Sequence, residues 1–201
     1  MTPWFFHPLH QPSVTSTSDS TDSKLQIRAV APADLTDVTQ IIAESFHKPN
    51  GLWGWTYPIM RLGIYEDLKH RLASSAPHHL CLVAVDTSQT IDNLMGTVEL
   101  GVRFNDACAG ANKSFPYLSN LAVHPSYRRQ GAASGLLMGC EKLASYWGFQ
   151  DIYLHVLEDN HQARQLYFKF GYRVQKVETN WNTHFFRRAR QLLLHKHLSI
   201  E

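Results

Sequence analysis

A chain of 201 residues with 44% apolar and 18% charged residues has an ordinary globular composition and is long enough to bury one substantial core. Its formal net charge of +2 is too small for a dedicated nucleic-acid binder, and its apolar runs are too short to span a bilayer. Three cysteines without a CxxC or CxxH pair argue against a disulfide framework or a zinc site and fit a reducing compartment.

The first 23 residues differ in composition from the rest of the chain. MTPWFFHPLHQP is a poor signal peptide because proline interrupts it and a basic region is missing, and the Ser/Thr/Asp tract that follows can bury little surface. We expect a flexible tail at 1–23 and one domain at 24–201. Because no arginine precedes Arg28, a cytoplasmic location is favoured over import into an organelle.

The first half of the domain contains both helical and strand periodicity. Apolar residues alternate in LQIRAV, and they recur at helical spacing after Pro32 and Asp34. These patterns predict a strand at 25–30, helices at 32–46 and 59–72, and strands at 79–85 and 94–102.

The second half alternates strands and helices after a loop of small residues at 105–116. Gly148 marks a helix end because glycine is the residue most often found there. The patterns predict strands at 117–123, 151–157, 171–177 and 190–198, and helices at 131–147 and 161–170. The order of elements is that of an α/β domain.

The stretch YRRQGAASGLL at 127–137 places two arginines and several small residues at the entrance to a predicted helix. The first amides of a helix lack partners within the helix, so a phosphate can dock there where no bulky side chain blocks it. Small residues also let a helix cross a sheet closely. The stretch alone therefore supports either an anion site or a packing contact.

Two motifs resemble those of the GNAT superfamily of N-acetyltransferases. HPSYRRQGAASGLL resembles its acetyl-CoA signature, (Gln/Arg)-x-x-Gly-x-(Gly/Ala), here at Arg128, Gly131 and Ala133. DNHQARQLYFKFGY resembles its second hallmark, an asparagine followed seven residues later by a tyrosine, here Asn160 and Tyr167. The resemblance implies the α/β GNAT fold, in which a mixed, mostly antiparallel sheet of six to seven strands is splayed in the middle and flanked by about four helices.

The resemblance also implies where acetyl-CoA binds. In this family the strand before the signature parts from its neighbour, and its exposed backbone holds the pantetheine arm. Leu121, Ala122 and Val123 are expected to supply those groups here, and Asn160 is expected to contact the donor from the last helix. The residues expected at the pyrophosphate are Arg128, which adds charge, and Arg129, Gln130, Gly131, Ala132, Ala133 and Ser134, which supply amides.

Acetyl transfer needs a neutral amine, stabilisation of the acetyl oxygen and a proton donor for the departing thiolate. The resemblance assigns the last role to Tyr167, whose phenol, with an ordinary pKa of about 10, is protonated at neutral pH. Backbone amides near Leu121 could stabilise the oxygen as it gains charge.

Two residues compete for the role of base. In the branch that acetylates ribosomal-protein N-termini, a glutamate precedes the motif asparagine by five residues, and that position here is His155. An imidazole with an ordinary pKa near 6.5 could take the proton directly or through water. Glu99 is the alternative, because a carboxylate on the facing strand is a frequent base elsewhere in the superfamily. Both could act through a shared water chain.

Substrate specificity in the family comes largely from two loops, KPNGLWGWTYP and ETNWNTHFFRRAR in this chain. Their aromatic residues could wall a groove for a peptide or a lysine side chain, or could equally cap the core. The candidate substrate-binding residues are Trp53, Trp55, Trp181 and Phe185. No metal site is expected, since the paired histidines lack a third ligand at recognisable spacing.

FPYLSNLAVHPSYRRQG, YLHV-x-x-x-N and RQLLLHKHL are similar to plastid-type and cyanobacterial GNAT proteins, which are described as acetylating protein N-termini and lysines. We therefore expect acetyl transfer to a protein or peptide amine by a monomer or homodimer that binds neither nucleic acid nor membrane. A small-molecule acetyltransferase and a non-catalytic acetyl-CoA sensor are the alternatives. The location is expected to be the cytoplasm, with the chloroplast stroma as the alternative.

Overall fold

The computed structural model describes residues 25–46, 57–73, 78–88, 93–104, 114–178 and 190–198. Within these ranges, seven strands form a single sheet and four α-helices accompany it. The strands are β1 (Leu25–Ala29), β2 (His79–Asp86), β3 (Asn93–Phe104), β4 (Ser114–Val123), β5 (Asp151–Leu157), β6 (Arg173–Glu178) and β7 (Gln191–His197). The helices are α1 (Leu35–Phe46), α2 (Tyr57–Ala73), α3 (Ala132–Tyr146) and α4 (His161–Lys169).

The strand order across the sheet is β1-β2-β3-β4-β5-β7-β6. Every neighbouring pair is antiparallel except β4 and β5, which are parallel. The expected mixed, mostly antiparallel sheet with four flanking helices is therefore confirmed. None of the helices in the described ranges is long and apolar enough to cross a membrane.

The two halves of the sheet separate between β4 and β5. These strands pair only at Tyr117 with Tyr153 and at Leu118 with Leu154, although both strands continue beyond those residues. On the other side of β4, the register with β3 shifts where β4 carries an extra residue, and Asn120 there has a φ of +53°. A bulge of this kind bends and twists a strand, so β4 turns away from β5 and the predicted splay forms.

β4 begins earlier than the sequence pattern predicts. Residues 114–116 were expected in the preceding loop, but Ser114 starts the strand, and Phe115 and Pro116 are buried within it. Proline cannot donate to a ladder and is confined to positions where one side of the strand is unpaired. Pro116 meets that condition, since it faces Val102 on β3 and lies before the first residue paired with β5.

The remaining elements begin and end within two residues of the prediction, apart from the start of the first helix. That segment opens with a 3-10 turn at Pro32–Asp34, and α1 follows from Leu35. Arg28 forms a salt bridge with Asp34, which fixes the turn against β1.

Each face of the sheet carries its own apolar core. On one face, α3 and α4 pack on the strands through residues such as Leu136, Leu137 and Tyr167. On the opposite face, Val38 of α1 and Leu68 of α2 belong to a second cluster. The splay between β4 and β5 lies between these two cores, so a group placed there can be approached from both faces of the sheet.

Candidate functional site

A sharp turn connects the end of β4 to α3. Gly131 is the N-cap residue of α3 with a φ of +90°, and Arg129 also has a left-handed backbone, with a φ of +65°. No side chain caps the first turn of this helix. Its leading amides therefore remain available to an anion, with the helix dipole favouring negative charge at the same point.

The structure separates the two roles that small residues could have in this segment. A Cβ on Gly135 would lie 3.1 Å from Ile27 Cδ1, and one on Gly139 would lie 3.2 Å from Leu82 Cδ1, so these two glycines allow α3 to approach the sheet. A Cβ on Gly131 would come only within 3.8 Å of Leu25 Cδ2. Gly131 is therefore required by its backbone conformation, because a side chain strains a residue at this φ.

The side chains near this turn are exposed to solvent or donate hydrogen bonds to nearby backbone carbonyl groups. Arg128, Arg129 and Gln130 are exposed, whereas Ala133 and Ser134 are half-buried. Arg128 Nε donates to the Val123 carbonyl oxygen at 3.5 Å and Gln130 Nε2 donates to that of Ser126 at 3.0 Å. The predicted signature residues thus lie together at the open end of the splay.

The other predicted donor-binding groups lie along the strand that leads into this turn. Leu121, Ala122 and Val123 form the last part of β4, beyond its final pair with β5. A Cβ on Gly96 of β3 would lie 2.7 Å from the Ala122 carbonyl oxygen, so β3 presses closely against β4 there. An unpaired strand edge next to uncapped helix amides fits a ligand with an amide-bearing arm and a pyrophosphate, as acetyl-CoA has.

Asn160 and Tyr167 stand at opposite ends of α4 in different environments. Asn160 is the exposed N-cap residue, and its Oδ1 accepts a hydrogen bond from the Ala163 amide at 3.2 Å. Tyr167 is buried, with its ring 5.8 Å from that of Tyr172. Burial raises the pKa of Tyr167 to about 12, and the nearby Tyr117 adds to this rise. The Tyr167 phenol therefore keeps its proton throughout the neutral range.

Glu99 is a buried carboxylate on the face covered by α1 and α2, and both of its oxygens have nitrogen partners. Only 2% of its surface is exposed, and Asn120 Nδ2 donates to its Oε2 at 2.7 Å. Arg71 Nη1 lies 3.2 Å from Oε1 and 3.1 Å from Oε2, and His79 Nε2 lies 3.3 Å from Oε1. Glu99 thus connects α2 and β2 to the bulge in β4.

These partners keep Glu99 ionised. Burial by itself would raise the pKa of the Glu99 carboxyl, but the His79 hydrogen bond, the Arg71 charge and the Asn120 hydrogen bond together hold the pKa below its ordinary value. A carboxylate stabilised in this way is a weaker proton acceptor than a solvated glutamate.

His155 of β5 lies on the same face as Glu99 and is contacted on both ring nitrogens. Its Nδ1 is 2.7 Å from the Tyr117 hydroxyl, and its Nε2 is 3.4 Å from Glu178 Oε2. Nε2 makes no hydrogen bond within the described residues, but the nearby carboxylate attracts a proton, so we assign the proton of the neutral ring to Nε2. Nδ1 is then the acceptor for the Tyr117 hydroxyl, which leaves it able to take a proton.

The environment keeps His155 neutral. Burial lowers the pKa of this imidazole, the Glu178 carboxylate partly offsets the fall, and the Arg103 charge adds to it. A histidine whose pKa lies below its ordinary value of about 6.5 is unprotonated at neutral pH, which a base requires.

A pocket of about 290 Å³ opens beside these groups on the same face. Its walls include Tyr117, Arg103 and Ser119, and the Arg103 guanidinium lies 3.5 Å from the centre of the Tyr117 ring. Tyr117 thus borders the pocket and also contacts His155. Sequence reasoning missed both Tyr117 and Arg103, because their contacts join strands that are far apart in the chain.

The candidate substrate residues Trp53, Trp55, Trp181 and Phe185 lie outside the described residues. Across the described ranges, no group of three or more histidine, cysteine, aspartate or glutamate side chains is placed to hold a metal ion. The histidines near the end of the sheet instead pair with an acid: His195 Nε2 lies 2.7 Å from Asp151 Oδ1.

Residues 36–172 match the model of the acetyltransferase (GNAT) family. The chain is 33% identical over 178 residues to the Arabidopsis thaliana protein "GCN5-related N-acetyltransferase 10, chloroplastic", an alignment that covers 83% of this chain and 68% of that protein.

Two solved structures have the same fold at low sequence identity. The ribosomal-protein-S18-alanine N-acetyltransferase of Escherichia coli has a TM-score of 0.62 and 18% identity, with 88% of this chain and 96% of that one covered. The protein yncA of Salmonella typhimurium, solved with acetyl-CoA, has a TM-score of 0.63 and 18% identity, with 89% and 96% covered.

Proposed function

The chain belongs to the GNAT family of acetyltransferases, and on that premise we propose that it transfers the acetyl group of acetyl-CoA to a primary amine of a protein or peptide. The amine is a lysine side chain or an N-terminal α-amine, and it attacks directly while both substrates are bound. The observation that carries this proposal is the splay between β4 and β5, which has the glycine turn at its open end and a pocket beside it.

The chain's own groups supply a site for the donor. The amides from Arg129 to Ser134 are proposed to bind the pyrophosphate, with Arg128 adding charge. The backbone of Leu121 to Val123 is proposed to hold the pantetheine arm, and Asn160 to contact it from α4. Acetyl-CoA, when bound, supplies the activated acetyl group.

We assign proton removal from the amine to Tyr117 and His155 acting in series. Tyr117 borders the pocket, and its hydroxyl is 2.7 Å from His155 Nδ1. As the amine gives a proton to the Tyr117 oxygen, the Tyr117 proton passes to Nδ1, and the resulting imidazolium faces the Glu178 carboxylate at 3.4 Å. Glu99 lies nearby as a fixed negative charge, and its role as a base through water is the competing assignment.

Tyr167 is proposed to assist the departure of the thiolate. A phenol with a pKa of about 12 is a weaker acid than a thiol, whose ordinary pKa is about 8.5, so complete proton transfer to a free thiolate is uphill. The Tyr167 hydroxyl therefore acts by hydrogen bonding to the sulfur as the carbon–sulfur bond breaks. Amides near Leu121 are proposed to stabilise the acetyl oxygen as it gains charge.

Protein substrates are favoured by the similarity to plastid-type GNAT proteins. A small-molecule amine is the second candidate, because a pocket of about 290 Å³ is small enough to hold one. The 33% identical relative is described as chloroplastic, which supports the chloroplast stroma more than the cytoplasm as the location of this chain.

The test is mass spectrometry of a mixed peptide library incubated with the protein and acetyl-CoA, beside a control without enzyme. Acetyl groups on lysines or α-amines above the control are the expected result. A Tyr167→Phe variant should bind acetyl-CoA normally in a thermal-shift assay and acetylate at least about tenfold more slowly. Binding of acetyl-CoA by the unmodified protein without acetylation of any peptide would overturn the protein-substrate proposal and favour a small amine or a sensor.

A further inference from the structure

The pocket beside Tyr117 has basic walls. Arg71, His79 and Arg103 line it together with Gly101, Tyr117 and Ser119. Among the lining residues that the structure describes, none is an aspartate or glutamate. A pocket that receives an amine would more commonly offer a carboxylate, so this charge pattern needs an explanation.

Two of the three basic residues contact carboxylates. Arg71 Nη1 and His79 Nε2 lie within 3.3 Å of the buried Glu99 oxygens. Arg71 Nε also donates to Asp67 Oδ1 at 3.1 Å. Glu99 is buried and neither acid is among the described residues that line the pocket, so the described walls present basic side chains without an acidic one.

Arg103 differs from the other two because no carboxylate pairs with it in the described ranges. It lies near the end of β3 with an exposed side chain, and its guanidinium stacks 3.5 Å from the Tyr117 ring centre. Stacking on an aromatic face leaves the N–H edges of a guanidinium free to bind an oxyanion in a two-pronged manner. The stack also holds those edges next to the hydroxyl that receives the proton.

We infer that the preferred acceptor carries a carboxylate or similar acidic group beside its reactive amine, and that Arg103 binds this group. The inference rests on the proposed acetyltransferase function. Positive charge near the bound amine favours its neutral form, which is the form that can attack. The acidic group attracts the acceptor to the basic pocket, whereas an acceptor that carries only positive charge is repelled. Polyamines and lysine-rich segments are correspondingly poor acceptors.

The test compares peptides that differ by one charge. One pair has a free α-amine followed by Asp or Asn at the second position, and the other has a blocked N-terminus and one lysine flanked by Asp or Asn. The full chain should acetylate the Asp member with about tenfold higher kcat/KM than its Asn partner. The preference should shrink at about 1 M salt, where the Debye length falls to about 3 Å.

Arg103 variants show whether this preference belongs to the proposed contact. Arg103→Gln should reduce the ratio of kcat/KM for the Asp peptide to that for the Asn peptide below about twofold. Arg103→Glu should instead favour a peptide with Lys at the variable position over its Asn partner. Arg103→Lys should keep part of the ratio. Lys142→Gln is the matched control, since it removes one exposed positive charge from α3, on the opposite face of the sheet.

The ratio between matched peptides is informative because a general loss of stability or turnover changes both members equally. Equal kcat/KM values for Asp and Asn, a preference that survives in Arg103→Gln, or faster acetylation of a polyamine would overturn the inference while leaving the acetyltransferase function intact. Acetyl-CoA binding without acetylation of any peptide or polyamine would instead overturn the function and this inference together.

Discussion

Glu99 and His155 lie on the same face of the sheet, and each has a pKa below its ordinary value, yet the two sites are chemically opposite. Three donor residues converge on the Glu99 carboxylate and keep it charged. His155 accepts from Tyr117 through Nδ1, and its burial keeps it uncharged. A lowered pKa thus makes the acid a poor proton acceptor and makes the imidazole available as one at neutral pH.

Burial and a shifted pKa do not by themselves identify a base. Both candidates are compatible with the sequence, both have shifted pKa values, and both contact residues that line the pocket, but only His155 contacts a hydroxyl there, that of Tyr117. What distinguishes the two sites is the partner: a hydroxyl that can pass on a proton at His155, and several nitrogen donors that stabilise a charge at Glu99. Glu99 joins α2, β2 and the β4 bulge, so its expected contribution is to stability.

The largest expected effect is on turnover when His155 is replaced. His155→Gln should lower kcat about 100-fold at neutral pH because the proton acceptor is lost, while acetyl-CoA binding changes little. Steady-state kinetics and a thermal-shift titration measure the two quantities. His70→Gln, an exposed histidine of α2, is the control. Turnover within about threefold of the original protein would remove His155 from the mechanism.

A smaller but still substantial loss of turnover is expected for Tyr117→Phe. Removing the hydroxyl breaks the connection between the pocket and His155 Nδ1, so kcat should fall about tenfold or more. The free energy of unfolding should fall by only about 1 kcal/mol, the usual net value of one hydrogen bond. Tyr146→Phe, at an exposed tyrosine of α3, is the control. An unchanged kcat would show that His155 reaches the amine by another route.

Glu99→Gln should lower stability more than activity, in contrast to Tyr117→Phe. The buried ion pair with Arg71 is lost, so the free energy of unfolding should fall by about 2 kcal/mol in denaturant titrations at pH 7, while kcat changes less than about fivefold. Exposed Glu66→Gln on α2 is the control. A folded Glu99→Gln protein without activity, beside an active His155→Gln protein, would make Glu99 the base.

The stability effect of Glu99→Gln should also depend on pH. The folded pKa of Glu99 is lowered, so its stabilising contribution is complete above the unfolded pKa of about 4.3 and is lost as the pH falls towards the folded value. The difference in unfolding free energy between the original protein and the variant should therefore shrink below about pH 4. A constant difference from pH 7 to pH 3 would mean that the Glu99 charge is not what stabilises the fold.

The smallest expected effect is a displaced pH profile in Glu178→Gln. In the original protein, kcat should fall only at pH values below the ordinary histidine pKa of about 6.5, where His155 becomes protonated. The Glu178 carboxylate raises that pKa, so its removal should move the fall to still lower pH and reduce the plateau less than tenfold. Exposed Glu66→Gln should leave the profile in place. A shift to higher pH would contradict the arrangement.

Most helices and strands, and the segments proposed to bind the donor, could be predicted from the amino-acid sequence. Apolar periodicity is local, so twelve-residue segments such as 35–46 reveal a helix without knowledge of their neighbours. Gly131 lies within one contiguous motif, and Asn160 and Tyr167 lie within another. A motif confined to one stretch can be recognised from the sequence, so both could be compared with a family. Their roles in binding and proton donation stay predictions.

The arrangement of the face that carries Glu99 and His155 could not be predicted from the sequence, because it depends on contacts between distant segments. The start of β4 depends on which side of Pro116 lacks a neighbouring strand. The hydrogen bond at His155 Nδ1 comes from Tyr117, 38 residues earlier in the chain. The Glu99 carboxylate likewise contacts side chains from three separate elements, α2, β2 and β4. Hydrogen bonding and charge act over a few ångströms in space whatever the distance along the chain, so sequence spacing could propose two bases but could not rank them.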